Sequence, residues 1–145
     1  MLERMKDLIR SQDICVLATA CGNRPHCSLM AYVTDKDCRE IYMVTHRNTV
    51  KFRNATENPS VSLLIDTRAE DRKDRQELAR ALTVTGLFER IDEPERLEAI
   101  RARLLARHAY LRDFAAHSEA EVFAVKIQSF LLLDGITESY YERIA

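Results

Sequence analysis

The residues that are best suited to bind a ligand lie where a predicted strand is followed by a predicted helix. The strand ends at Thr45, a polar turn follows, and a short helix begins with Thr49 and Lys51 in its first turn. Free backbone N–H groups and a partial positive charge make a helix N-terminus attractive to anions, and a hydroxyl and an ammonium group would strengthen that attraction. The pattern suits a phosphate site, but taken alone it is more simply explained by an ordinary helix cap at Asn48 or Thr49.

The histidines are the other candidates for chemistry, and they are His26, His46, His108 and His117. His46 follows Thr45 and could line the phosphate site or ligate a metal, but a histidine in a solvated turn is the simpler interpretation. His26 opens a strand beside Pro25, where a structural role is the simpler interpretation. No spacing of Ser, His and Asp, and no pair of carboxylates, points to a hydrolytic site.

Four cysteines are present, at Cys15, Cys21, Cys27 and Cys38. None of them has the C-x-x-C spacing of a zinc or thioredoxin-like site, so we predict no metal. Cys21 and Cys27 flank a predicted turn and could approach each other across it. Because cytosolic thiols stay reduced, four free thiols are the simplest expectation.

Length and charge limit the class of protein. The 145 residues suit a single domain over the whole chain, residues 1–145. The 22 basic and 23 acidic side chains give a net charge of -1, which argues against nucleic-acid binding. No apolar run approaches the roughly 20 residues that span a bilayer. Glu3 and Asp7 interrupt the N-terminal segment, which therefore does not resemble the apolar core of a signal peptide. We therefore expect a cytoplasmic protein that binds neither nucleic acid nor a membrane.

Apolar periodicity predicts a mainly β fold with flanking helices. Six strands are expected, at residues 14–20, 26–34, 40–46, 61–66, 82–91 and 121–133. Helices are expected near residues 2–9, 50–57, 94–108 and 110–116, the third with a capping box from Asp92 and Glu95. The charged segment 68–80 has no apolar period and is expected to be mobile. This order predicts a six-stranded antiparallel Greek-key barrel with helices outside it.

Three segments together resemble the pyridoxamine 5'-phosphate oxidase-like family, the FMN-binding split barrels. They are ATACGNRPHCSLMAYVTDKD, EIYMVTHRNTVKFRNATENPSVSLLID and ALTVTGLFERI, and the similarity covers roughly residues 14–91. The resemblance implies a split β-barrel that binds FMN. It also implies a homodimer with two flavins at the interface, so that each pocket draws on both chains.

The resemblance further implies which residues hold the cofactor. The strand at residues 27–32 would run along the isoalloxazine ring and donate backbone hydrogen bonds. Thr45 would lie near the ring and ribityl chain, and Thr49 and Lys51 would hold the phosphate. The positions assigned to the ring are Cys27, Ser28, Leu29 and Met30.

Departures from the family pattern bear on the substrate. True pyridoxamine phosphate oxidases have an arginine just before the phosphate lysine, where this chain has Val50. Cys27 and Tyr32 stand where those enzymes have an arginine and a lysine at the ends of the ring strand. Their C-terminal substrate motif has no counterpart in ITESYYERIA. We therefore predict that pyridoxamine phosphate is not the substrate.

The favoured function is that of an FMN-dependent oxidoreductase with a small-molecule redox substrate that the sequence does not name. No catalytic side chain is expected if the flavin carries the chemistry. Because related split barrels bind haem, a haem-binding or haem-degrading protein with a histidine ligand is the alternative. A non-catalytic flavin-binding module is a third possibility, and deazaflavin use is a variant of the first.

Overall fold

The structure is a computed structural model that describes residues 1–67, 79–135 and 137–145. Residues 68–78, which make up most of the charged segment expected to be mobile, lie outside the described part of the chain. Arg80, at the end of that segment, begins a strand.

The described residues form four α-helices and eight strands. The helices are α1 (Leu2–Ser11), α2 (Val50–Glu57), α3 (Pro94–Arg107) and α4 (Arg112–Ala116), and a 3-10 turn (Ala109–Leu111) precedes α4. The strands are β1 (Ile14–Cys21), β2 (Arg24–Ala31), β3 (Val33–Thr34), β4 (Glu40–His46), β5 (Ser60–Asp66), β6 (Arg80–Arg90), β7 (Ala120–Asp134) and β8 (Glu138–Arg143).

All the described strands belong to one antiparallel sheet, in the order β2-β1-β5-β6-β7-β4-β3 with β8 paired to β7. The long β7 pairs with β4 through residues 120–126 and with β8 through residues 129–134. The end strands β2 and β3 are separated in sequence by Tyr32 alone. The sheet must therefore curl until its two ends approach each other, which makes an open half-barrel. The prediction of a mainly β, antiparallel fold with flanking helices is confirmed.

The predicted count of six strands was wrong for two reasons. The expected strand at residues 26–34 is divided, because the Tyr32 N–H donates to the Asp13 carbonyl at 3.2 Å and the chain then passes to β3. The second reason is β8, which pairs with β7 although ESYYER has no clear apolar alternation. Pairing with a long neighbouring strand, which is a tertiary effect, decides its structure.

The core lies on the inner face of the half-barrel. Val61, Leu63 and Ile65, expected to face one way, are all buried, as are Leu82 and Val84 on the neighbouring strand. Helix α1 adds its own buried residues to this cluster, namely Met5, Leu8 and Ile9. A second cluster forms where α3 packs on the sheet through Ile100 and Leu104.

One of the two predicted helix caps is present in the structure and the other is not. Thr49 caps α2, and its Oγ1 accepts a hydrogen bond from the Phe52 N–H at 3.3 Å. The capping box expected from Asp92 and Glu95 was wrong, because α3 begins at Pro94 with Glu93 at the cap position and no side-chain cap. Proline fixes the first helical residue without a hydrogen-bonded cap. No described helix is both long and apolar enough to cross a bilayer.

Candidate functional site

The start of α2 brings two threonine hydroxyls together. Thr45 is the next-to-last residue of β4 and is buried, and its Oγ1 lies 3.4 Å from Thr49 Oγ1. Thr49 Oγ1 also donates to the His46 carbonyl at 2.8 Å. Because a hydroxyl has one proton, Thr45 is the donor between the two hydroxyls. The predicted cap therefore exists, and it places both hydroxyls beside the free N–H groups of the helix start.

Lys51 lies in the first turn of the same helix and is half-buried. Its ammonium makes no hydrogen bond or ion pair with any residue in the described part of the chain. Burial lowers its pKa below the ordinary value for lysine. A partly desolvated and unpaired cation is ready for an anion, which would restore the lost electrostatic stabilisation.

Helix α2 is fixed to β1 by side chains that sequence reasoning missed. Asn54 Nδ2 donates to Thr19 Oγ1 at 3.2 Å, and Asn58 Nδ2 donates to the Ala20 carbonyl at 2.9 Å. Thr19 is itself buried. A polar residue on the inner face of an otherwise apolar strand was the available signal. These bonds attach the C-terminal half of α2 to β1.

The strand β2 supplies the second half of the predicted site. It is an end strand, and within the described residues only β1 pairs with it. Half of its backbone N–H and C=O groups therefore point away from β1 and are open to a ligand. Helix α2 contacts both β1 and β2.

The four residues assigned to the ring divide between the two faces of β2. Cys27 and Leu29 lie on the outer face, with Leu29 71% exposed. Ser28 and Met30 point the other way, and Met30 is buried in the core. Leu29 and Met30 therefore differ in role: Leu29 can present its side chain to a planar ligand, and Met30 only its backbone.

The outer face of the sheet is apolar where β2 ends. A slot of about 290 Å³ lies there, lined mainly by Ile14, Val16, Leu29 and Leu64. Exposed side chains on β7 and β8 extend the apolar character, namely Leu131, Leu133 and Tyr141. Their register with β6 places them on the same outer face as the slot. Such a face is typical of a surface that another molecule covers.

His46 stacks on its neighbours, in contrast to the solvated turn considered from the sequence. Its ring lies 3.9 Å from the Phe114 ring and 4.7 Å from the His117 ring, measured between centroids. Its Nε2 is 3.0 Å from the Phe114 carbonyl. This stack fixes α4 against the turn that precedes α2. His108 is buried, with Nε2 2.9 Å from the Tyr32 carbonyl, and has a structural role.

The cysteines are free, and Cys21 does not approach Cys27. In the β1–β2 register Cys21 lies opposite Arg24, and Cys27 lies opposite Ala18. The Cys21 thiol instead donates to Glu57 Oε2 at 2.9 Å, and this hydrogen bond raises the pKa of the thiol. Among the described residues, no group of three or more His, Cys, Asp or Glu side chains could hold a metal ion.

The three departures from the family pattern leave no cation at those positions. Val50 is exposed, Cys27 is exposed, and Tyr32 is only 1% exposed. The Tyr32 hydroxyl donates to the Ile9 carbonyl at 2.5 Å. Tyr32 is therefore committed to holding α1 on the sheet, and its side chain is not available to a substrate on the outer face.

The sequence matches one protein family over nearly the whole chain. The family is described as pyridoxamine 5'-phosphate oxidase, and the match covers residues 1–134. The chain belongs to this family. The resemblance inferred from the sequence segments is thus confirmed, and the half-barrel described above is this family's split barrel. No curated protein sequence matches the chain.

Solved structures with the same fold bind different cofactors. A heme binding protein from Mycobacterium smegmatis has a TM-score of 0.82 at 20% identity, over 96% of this chain and 57% of that one. HutZ, the heme storage protein from Vibrio cholerae, has a TM-score of 0.75 at 17% identity, over 92% and 93%. A FAD-binding protein from Mesorhizobium loti has a TM-score of 0.74 at 15% identity, over 91% and 93%. At these identities the similarity establishes the fold.

The chain's own residues fit the flavin nucleotide that the family resemblance implies. The phosphate end offers an unpaired Lys51 ammonium and the start of α2. The ring end offers the free edge of β2 and an apolar slot beside Leu29. Because Val50 is uncharged, Lys51 would be the cation that meets the phosphate.

Proposed function

We propose that the protein binds FMN and acts as an FMN-dependent oxidoreductase on a small-molecule redox substrate. The observation that carries the proposal is the half-buried Lys51 ammonium, which has no partner within the described residues and lies in the first turn of α2. A partly desolvated cation without a counter-ion is stabilised when a ligand supplies one. The FMN phosphate is a dianion of suitable charge.

The remaining residues of the proposed site bind the flavin and orient it. The N–H groups at the start of α2 and the Lys51 ammonium donate to the phosphate. Thr49 would lie with Lys51 at the phosphate, Thr45 would lie near the ring and ribityl chain, and N–H groups on the free edge of β2 would donate to the ring. When bound, the flavin supplies hydride or electron transfer, and the protein excludes water and positions the reacting atoms.

The proposal includes a homodimer. The outer sheet face exposes Leu29, Leu131, Leu133 and Tyr141, which are costly to leave in water. A second copy is the commonest partner for such a self-complementary face. It would also cover the open side of the ring site at β2.

The substrate is proposed to differ from pyridoxamine phosphate. The C-terminal substrate motif of the family has no counterpart in ITESYYERIA, no cation stands at Cys27 or Tyr32, and Tyr32 is buried against α1. A phosphorylated substrate would lack counter-charges there. We expect no useful turnover of pyridoxamine phosphate in an oxygen-consumption assay.

Haem binding is the second candidate function. Two of the fold neighbours described above are a heme binding protein and a heme storage protein. His26 lies on β2, and its Nδ1 is 3.5 Å from Ser28 Oγ, which leaves Nε2 without a partner in the described part of the chain. A neutral imidazole nitrogen is a common axial ligand of haem iron.

The visible spectrum of the purified protein, alone and after addition of FMN or hemin, tests the proposal. Flavin bands that stay with the protein through gel filtration support FMN binding. A Soret band that His26→Ala removes would favour haem and overturn the flavin proposal. Turnover with a reduced nicotinamide then separates an enzyme from a non-catalytic flavin-binding module.

A further inference from the structure

A second cleft lies between α1, β3 and the C-terminal half of α3. Its volume is about 490 Å³, which is within the range of small-ligand sites. It shares none of the residues proposed to hold FMN. Any ligand here would therefore be bound independently of the flavin.

Four cations line the cleft, and two of them are paired with carboxylates. The charged side chains that line it are Arg10, Lys36, Arg103, Arg107 and Asp35. The single carboxylate is already engaged, because Asp35 Oδ1 accepts the N–H groups of Arg39 and Glu40 at 2.8 and 2.9 Å. Carboxylates beside the cleft also pair with two of the cations, because Arg10 contacts Glu3 and Asp7 at 3.9 and 3.4 Å and Arg107 contacts Asp13 at 2.7 Å.

Two of these cations are held in place by backbone carbonyls. Arg107 Nη2 donates to the carbonyls of Arg10 and Gln12 at 3.1 and 3.4 Å, and its Nε donates to Asp13 at 2.7 Å. Arg10 Nη2 donates to the Lys36 carbonyl at 3.1 Å. These bonds fix the end of α1 against α3 and the β3–β4 loop. The walls of the cleft are therefore already formed before a ligand arrives.

The other two cations are unpaired. Arg103 and Lys36 make no side-chain hydrogen bond or ion pair with any residue that the structure describes. Arg103 and Arg107 are four residues apart on α3 and so project from the same side of the helix. Because Arg107 is paired with Asp13, Arg103 and Lys36 are the two cations of the cleft that have no ion pair in the described part of the chain.

We propose that this cleft binds a small organic anion, with a phosphate or carboxylate group on Arg103 and Lys36. The rest of the ligand would contact Val33, Thr34 and Ala106, which also line the cleft. A small ligand suits the site better than a flat macromolecular surface, because the charges line a concavity of limited volume.

Three probes that share a benzene ring test the proposal by NMR titration: phenyl phosphate, benzoate and benzyl alcohol. We expect saturable shifts of amides around the cleft with phenyl phosphate or benzoate, and none with the neutral alcohol. The stronger of the two anions identifies the ligand class. Arg103→Ala should weaken that binding about 10-fold or more, because a charge-assisted hydrogen bond is lost.

Arg112→Ala is the matched control, because Arg112 is an exposed arginine on α4 that does not line the cleft. It should leave the affinity unchanged, and Lys36→Ala should weaken it. Equal affinities for Arg103→Ala and Arg112→Ala would overturn the proposal, as would the absence of saturable binding. Loss of binding in Lys51→Ala instead would assign the anion to α2 and overturn it too.

Discussion

The hydroxyls of Thr45 and Thr49 lie 3.4 Å apart, one at the end of a strand and the other at the cap of the next helix. The Thr49 hydroxyl serves two groups of the turn, because it donates to the His46 carbonyl and accepts from the Phe52 N–H. The turn that precedes α2 is therefore defined by side-chain hydrogen bonds before any ligand binds. A preformed turn lowers the entropy cost of binding an anion at the helix start.

Lys51→Ala should weaken FMN binding about 10- to 150-fold, because it removes a charge-assisted hydrogen bond worth about 1.5–3 kcal/mol. Arg53→Ala is the matched control, since Arg53 is an exposed cation of the same helix. It should change the affinity little. Fluorescence titration with FMN measures both variants.

Riboflavin separates a phosphate contact from damage to the fold. It lacks the phosphate, so wild type and Lys51→Ala should bind it almost equally. Equal losses for FMN and riboflavin would indicate misfolding, and no loss for either would show that Lys51 is an ordinary solvated residue. Only a selective loss for FMN supports the site.

FMN affinity should also depend on alkaline pH through Lys51. Burial lowers the pKa of this lysine in the free protein, so it loses its charge at a lower pH than an ordinary lysine. The phosphate requires the charged form, and the affinity should therefore fall as the pH rises through that lowered pKa. The stability of the protein without FMN should change in the opposite direction. Below the lowered pKa the half-buried charge of Lys51 destabilises the folded state, and this penalty disappears as the pH rises above it.

Lys51→Arg provides the comparison for this pH dependence. An arginine stays charged across the alkaline range, so the fall in affinity should be absent or shifted to higher pH. Titrations of FMN at a series of pH values measure the difference. A parallel fall in wild type and Lys51→Arg would rule out lysine titration as its cause.

Local sequence was enough to predict the elements that carry the phosphate end of the site. Thr49 caps α2, as its position after a strand and a polar turn suggests. Residues of β5 and β6 alternate in burial as their apolar period predicts. These features depend on residues within a few positions of each other, so the sequence contains the whole signal.

Features that depend on distant contacts could not be predicted in this way. The strand breaks after β2 where the Tyr32 N–H donates to the Asp13 carbonyl. The buried Tyr32 side chain is held by the hydrogen bond from its hydroxyl to the Ile9 carbonyl of α1. The strand β8 exists because β7 extends far enough to pair with it. The sequence likewise showed a strand matching the ring site, but the division of its side chains between two faces needed the register with β1.

The cysteines should react with a thiol reagent in a definite order. Cys27 is exposed and should be alkylated first. Cys21 should be slower, because its hydrogen bond to Glu57 raises the pKa of the thiol and lowers the thiolate fraction. Burial raises the pKa of Cys15 to about 12, so Cys15 should react only on unfolding. Mass spectrometry after brief exposure to iodoacetamide gives the order.

Repeating the alkylation with FMN bound tests the position of the flavin ring. If β2 lies along the flavin ring in a dimer, bound FMN should slow the alkylation of Cys27 and leave Cys21 unaffected. Alkylation of Cys27 at the same rate with and without saturating FMN would contradict the assignment of β2 to the ring site.

Leu131→Asp should convert the proposed homodimer into a monomer. The residue lies on the exposed outer face of β7, opposite Tyr141 of β8 and away from the core. A carboxylate there leaves the isolated chain stable but would be buried without a partner in a dimer, which costs several kcal/mol.

Tyr110→Asp is the control, because Tyr110 is 72% exposed but lies in the 3-10 turn after α3, not on the sheet. Sedimentation velocity should give a dimer for wild type and Tyr110→Asp and a monomer for Leu131→Asp. The monomer should also bind FMN more weakly, because the partner no longer covers the open side of β2. A wild-type monomer that binds FMN tightly would refute the dimer, and a dimeric Leu131→Asp would show that another surface mediates it.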